Sequence, residues 1–213
     1  APATVSNIAC GFDVLGFAVR RTAEKLSVTK TEESGIRIAS IRGADLSYDP
    51  IKNITGVAAS ALLRHLGIAE QTGLEFNIEK YIAPGSGLGS SAAAAVASVV
   101  AVNALLGEPL RRYELIQFAM EGEKLASGNV HADNVAPCLF GGFRLIRGYE
   151  PLDVVEIQYP RTLHTTIIYP QVEVKTSEAR NMLPDHIPLK DAITQWGNVG
   201  GLIAGLQNKN YPL

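Results

Sequence analysis

The sequence predicts an α+β fold, on three observations: short strand-like runs, a glycine-rich loop between one such run and an alanine-rich helix, and amphipathic helices interspersed between strands. Phe12 to Val19, Leu26 to Thr31 and Ile36 to Ile41 are short, β-branched or alternating, and separated by charged or glycine-containing breaks, which predicts a mixed or antiparallel sheet. Asn53 can cap a helix running to about Leu66, with Val57, Ala61 and Leu62 on one face and Gly67 as its stop. Leu74 to Ile82 alternates like a strand. Pro84 to Gly89 is a loop, Ser90 to about Leu106 a helix that stops at Gly107, and Arg111 to Ala126 a second amphipathic helix. After a turn over His131 to Pro137, strands are expected at Phe143 to Arg147 and Val154 to Tyr159. Leu163 to Tyr169 reads as a buried strand, Ser177 to Leu183 as a short helix, and Leu189 to Asn208 as a glycine-containing helix. The first domain is expected over 1–158, and 159–213 opens a second one.

Composition narrows the function. The 213 residues are 46% hydrophobic and 19% charged, with a formal net charge of -2, so no basic excess exists to neutralise a phosphate backbone and nucleic acid is not an expected partner. Two cysteines, Cys10 and Cys138, make neither a disulfide framework nor a zinc site. The most apolar run, Ala92 to Leu106, is shorter than the roughly 20 residues of a membrane span and is broken by Ser98 and Asn103. It reads as a buried helix, and no membrane contact or secretory signal is expected. A cytoplasmic location and small-molecule chemistry fit these features.

Pro84-Gly-Ser-Gly-Leu-Gly-Ser-Ser91 is the most informative stretch. Gly85, Gly87 and Gly89 let backbone N–H groups approach an anion closely at the start of an apolar helix. No lysine follows the glycines, so this is not a Walker A loop, and the G-x-G-x-G spacing is not the dinucleotide fingerprint. Phosphate charge must then be met by the helix dipole and a metal ion. A glycine turn that only lets a helix pack tightly on a sheet is the alternative reading of the loop taken alone.

Residues 84 to 93, Pro-Gly-Ser-Gly-Leu-Gly-Ser-Ser-Ala-Ala, resemble the second signature motif of the GHMP kinases, named for galactokinase, homoserine kinase, mevalonate kinase and phosphomevalonate kinase. The resemblance implies a GHMP-kinase fold: an N-terminal nucleotide-binding α+β domain, then a ferredoxin-like α+β domain that is incomplete here, since a third glycine-rich motif of the family is not found. It implies that Pro84, Gly85, Ser86, Gly87, Leu88, Gly89, Ser90 and Ser91 wrap the phosphates of ATP, that Asn53 belongs to the ATP site, and that Ser91 and Glu123 hold Mg²⁺. Without it, Glu123 would be one helix carboxylate among several, like Glu114 and Glu121.

Three further segments resemble the homoserine kinase branch of that family. In Ala1-Pro-Ala-Thr-Val-Ser-Asn7 to Asp13, the resemblance places Asn7 and Asp13 in an amino-acid pocket, although Ile8-Ala-Cys10 departs from the usual Leu-Gly-Pro. In His131-Ala-Asp-Asn-Val135, His131 faces substrate and Asn134 stands where mevalonate kinases place a catalytic Asp. An amide has no basic form near neutrality, so Asn134 orients the attacking hydroxyl or holds an ion rather than taking a proton. In Val174-Lys-Thr-Ser-Glu-Ala-Arg180, Thr176 and Arg180 contact substrate. The implied activity is phosphoryl transfer from ATP to L-homoserine, with a homodimer as a candidate assembly. The rivals are a mevalonate- or shikimate-type kinase and a non-catalytic ligand sensor of the same fold.

Overall fold

The computed structural model describes residues 1–128, 131–168 and 182–212. The chain opens with a strand, β1 (Pro2–Ile8), and doubles back into the long β2 (Gly11–Ala23). β3 (Lys25–Thr31) and β4 (Gly35–Arg42) follow, then helix α1 (Ile54–His65) and β5 (Gly73–Glu79). α2 (Ser90–Leu105), α3 (Ile116–Ser127) and the short α4 (Val135–Phe140) lead to β6 (Phe143–Tyr149), β7 (Leu152–Ile157) and α5 (Leu189–Asn208). One sheet is antiparallel in the order β1-β2-β6-β7, and the other is mixed, in the order β3-β5-β4. β3 runs antiparallel to β5 and β4 parallel to it, the parallel pair being joined by the crossover helix α1.

The expected helix after Asn53 is present: the Asn53 carboxamide oxygen accepts the Thr55 N–H at 3.0 Å, and Gly67 closes the helix at φ +70°. α2 is buried nearly all round. Ala92, Ala93 and Ala95 are fully covered, and Val99 and Val102 reach Leu62, Leu74 and Phe76 in the shared core. Four successive alanines keep the first turns of α2 thin enough to sit between α1, α3 and the sheets. No helix among the described residues is long and apolar enough to cross a membrane.

Three departures from the sequence reading have physical causes. Pro2–Ile8 forms the edge strand β1, legible only once β2 is there to pair with it. Residues 135–140 form α4 despite Pro137, which sits in the first helical turn where no intrahelical N–H bond is lost. Leu163 to Tyr169 was expected as a buried strand, but the described residues 163–168 form no strand and Ile168 is 84% exposed. The run joins neither sheet, and Leu163 instead packs against the cluster of Leu15, Phe143 and Ile157. The helix expected over Ser177 to Leu183, apart from Met182 and Leu183, lies outside the described residues, as do Thr176 and Arg180. α5 lays Val199, Leu202, Ile203 and Leu206 on Leu15, Phe143 and Ile157 of the antiparallel sheet.

Candidate functional site

β1, the glycine loop, α3 and the segment before α4 converge on a cavity of about 610 Å³. Its lining includes Asn7, Asp13, Asn53, Lys80, most of residues 84–91, Glu123, His131, Asp133 and Asn134. All described residues expected at the site therefore meet in one place, save Leu88. The Leu88 carbonyl instead accepts the Thr4 N–H at 3.1 Å, docking the loop on the edge of β1.

The loop has the backbone its sequence calls for. Gly85, Gly87 and Gly89 have φ of +74°, +73° and +64°, values that L-residues with a side chain adopt only under strain. Gly89 precedes α2 directly, so the first N–H groups of α2 lack intrahelical partners and the positive end of a 16-residue helix meets the cavity. A Cβ at Gly87 would meet nothing, whereas one at Gly89 would overlap Thr4 Oγ1 and press on Asn134 Oδ1 at 2.9 Å.

Ser91 Oγ donates to Glu123 Oε1 at 2.9 Å, joining α2 to α3 across the cavity wall. Glu123 is 8% exposed. Burial pushes its carboxyl up to about 7, with nearby Asp133 adding repulsion and the Ser91 hydrogen bond opposing the shift. Asp133 is also raised, first by burial, while a hydrogen bond from Ser6 and the neighbouring His131 oppose it. Such a concentration of carboxylates attracts cations. Among the described residues no three His, Cys, Asp or Glu side chains form a ready cage. Ser91 Oγ with Glu123 is an all-oxygen pair, which suits a hard cation that takes its other ligands from phosphate and water.

Asn134 is locked by the first strand. Thr4 Oγ1 donates to Asn134 Oδ1 at 2.7 Å, and Asn134 Nδ2 donates to Ser6 Oγ at 2.9 Å. Thr4 and Ser6 share one face of β1 by the two-residue period, so the strand grips both ends of the amide and leaves one N–H and one lone pair for other partners.

Asn7 and Asp13, which line the same cavity, and Ala9 between them have φ of +55°, +60° and +47°. Three such residues in one hairpin turn concentrate backbone strain at the cavity rim. Asn7 Oδ1 accepts the Asp13 N–H at 2.7 Å, spanning the turn, and Asp13 Oδ1 lies 3.9 Å from His131 Nδ1. His131 Nε2 is buried and has no hydrogen-bond partner among the described residues. Asn53, in contrast, uses its oxygen to cap α1 and its Nδ2 to donate to the Ser47 carbonyl at 2.8 Å.

The sequence reading missed four contributors, Thr4, Ser6, Glu24 and Lys80. Lys80 was the legible one, as a cation directly after β5 on the segment that leads into the glycine loop. The others carry no local signal, because their partners lie far along the chain.

Residues 53–142 match the family model described as GHMP kinases N terminal domain. The homoserine kinase of Chlorobium phaeobacteroides is 45% identical over 100% of this chain and 70% of its own length. The chain belongs to the homoserine kinase family. The homoserine kinase of Methanococcus maripaludis is 38% identical, with 69% of its length covered. The crystal structure of homoserine kinase from Cytophaga hutchinsonii superposes with a TM-score of 0.93 at 51% identity, covering 99% of this chain and 67% of that one. Mevalonate kinase from Methanococcus jannaschii shares the fold at a TM-score of 0.58 and 20% identity over 74% of this chain. The chain thus spans about 70% of the length of its homoserine kinase relatives.

Proposed function

We propose that this chain is the greater part of an ATP-dependent homoserine kinase, which moves the γ-phosphoryl group of ATP to the hydroxyl of L-homoserine in threonine biosynthesis. Its N-terminal domain, 1–158, carries the nucleotide site, and 159–213 begins the domain that supplies Thr176 and Arg180. The observation that carries the reading is one cavity lined both by the glycine loop and by Asp13 with His131, inside a chain with relatives of that name.

The amides of residues 85–91 hold the phosphates, and the α2 dipole adds positive potential there. Ser91 and Glu123 would hold Mg²⁺, which, when bound, draws off charge from the phosphates. Asp13 meets the substrate ammonium, and Arg180 grips the carboxylate through both oxygens. The acceptor oxygen forms its bond to the γ-phosphorus as the bond to the β-phosphate oxygen breaks. The hydroxyl proton passes to the transferred phosphoryl group, because Asn134 positions and has no basic form. A loose transition state of this kind depends chiefly on positioning and charge.

Asp13→Asn is the direct test of the acceptor. Asparagine tolerates the left-handed backbone at 13 and keeps the N–H bond to Asn7, so only the charge is lost. The homoserine KM should rise about ten- to a hundredfold with the ATP KM little changed. A homoserine KM that stays within about twofold of wild type would remove the ammonium assignment. Asp133→Asn separates positioning from base catalysis. It should leave kcat within about tenfold of wild type, whereas a loss of about a thousandfold in folded protein would identify Asp133 as a base.

A further inference from the structure

Behind the glycine loop lies an ion pair that the phosphate chemistry does not require. Lys80 Nζ is 2.5 Å from Glu24 Oε1, and each side chain is 3% exposed. Burying both ions costs solvation that their attraction recovers only when the remaining donors and acceptors are satisfied. Here they are used on the loop's own frame. Lys80 Nζ donates to the Ser90 carbonyl at 3.1 Å. The Ser90 hydroxyl lies 2.8 Å from the Ile82 carbonyl and 3.3 Å from Glu24 Oε1. Glu24 Oε2 accepts the Tyr81 N–H at 3.1 Å. The pair therefore binds both ends of the glycine loop: Lys80 to Ile82 where it leaves β5, and Ser90 where it enters α2.

We propose that Lys80 and Glu24 are positioning residues for the phosphate loop, fixing Ser90 and the first turn of α2 so that the loop amides and the Ser91 hydroxyl stay aimed into the cavity. A flexible glycine loop loses entropy when it closes on an anion, and anchoring both ends in advance reduces that loss. With its charge cancelled by Glu24, Lys80 acts by anchoring the loop and does not supply the phosphate-facing charge of a Walker-type lysine. Burial lowers the Lys80 ammonium below the ordinary lysine range, and the Glu24 contact opposes that shift.

The inference rests on the kinase reading, so wild-type protein is assayed beside the variants. Removing one partner would strand a buried charge, but replacing both with neutral groups of similar shape spares the fold. The double variant Glu24→Gln/Lys80→Met should melt close to wild type. Its ATP KM should rise about tenfold or more, and its homoserine KM should stay within about twofold. If the double variant does not fold, Ser90→Ala decides. It removes the hydroxyl tie without a charge, and should raise the ATP KM several-fold alone. An unchanged ATP KM in an active, folded double variant, or in Ser90→Ala where that stands in for it, overturns the positioning role only. A wild type that releases no ADP with homoserine sinks the parent reading and the inference together.

Discussion

Glu123→Gln is expected to lower kcat by about a hundred- to a thousandfold while making the ligand-free protein more stable above neutral pH. The loss in rate follows from the proposed cation site, since an amide oxygen is a weaker ligand than a carboxylate at the point where Ser91 and Glu123 meet. The gain in stability follows from the buried carboxyl. Its folded value of about 7 stands above the ordinary 4.5, so the folded state binds this proton more tightly than the unfolded state does. The resulting stabilisation is complete below the ordinary value and is lost as pH rises toward the folded one. Glutamine keeps the acceptor for Ser91 and has nothing to ionise. At pH 8, without metal or nucleotide, the variant should exceed wild type by up to about 3 kcal/mol, and near pH 4 the two should agree. Thermal melts across this range are the check. Parallel melting profiles would show that Glu123 is not held in a raised state.

The second large effect separates two glycines of one loop. Gly87 and Gly89 both have positive φ, so alanine strains either backbone by about 1 to 2 kcal/mol. Their surroundings differ. At 87 the new methyl enters open space beside the cavity, and at 89 it meets Thr4 Oγ1 and Asn134 Oδ1. Gly87→Ala should therefore stay folded while its ATP KM rises about tenfold or more, the methyl standing where phosphate oxygens approach. Gly89→Ala should lose about 3 kcal/mol or more of stability and lose turnover with it, because β1, the loop and Asn134 cannot all keep their places. Equal melting temperatures for the two variants would contradict the packing of Gly89 on β1.

This contrast bears on what a sequence can disclose. The glycine spacing marked the loop, and Asn53 with Gly67 marked both ends of α1, because turn and cap chemistry is local. The alanine run marked α2 as buried because a helix apolar on every side has no face for water. What stayed hidden depends on distant pairing. Thr4 and Ser6 are unremarkable strand residues until Asn134 closes on them. Glu24 is an ordinary charged residue at a strand junction until Lys80 is buried against it. Leu163 to Tyr169 shows the converse error: the run has strand composition, but none of its described residues joins a ladder.

The direct test of the central claim is ADP release by the full protein with ATP and Mg²⁺, measured with homoserine, mevalonate, shikimate and galactose side by side. Homoserine is expected to support turnover with a kcat/KM at least about a hundredfold above each of the others, because only homoserine carries an ammonium for Asp13. Turnover with mevalonate or shikimate equal to that with homoserine, or none with homoserine, would contradict the account.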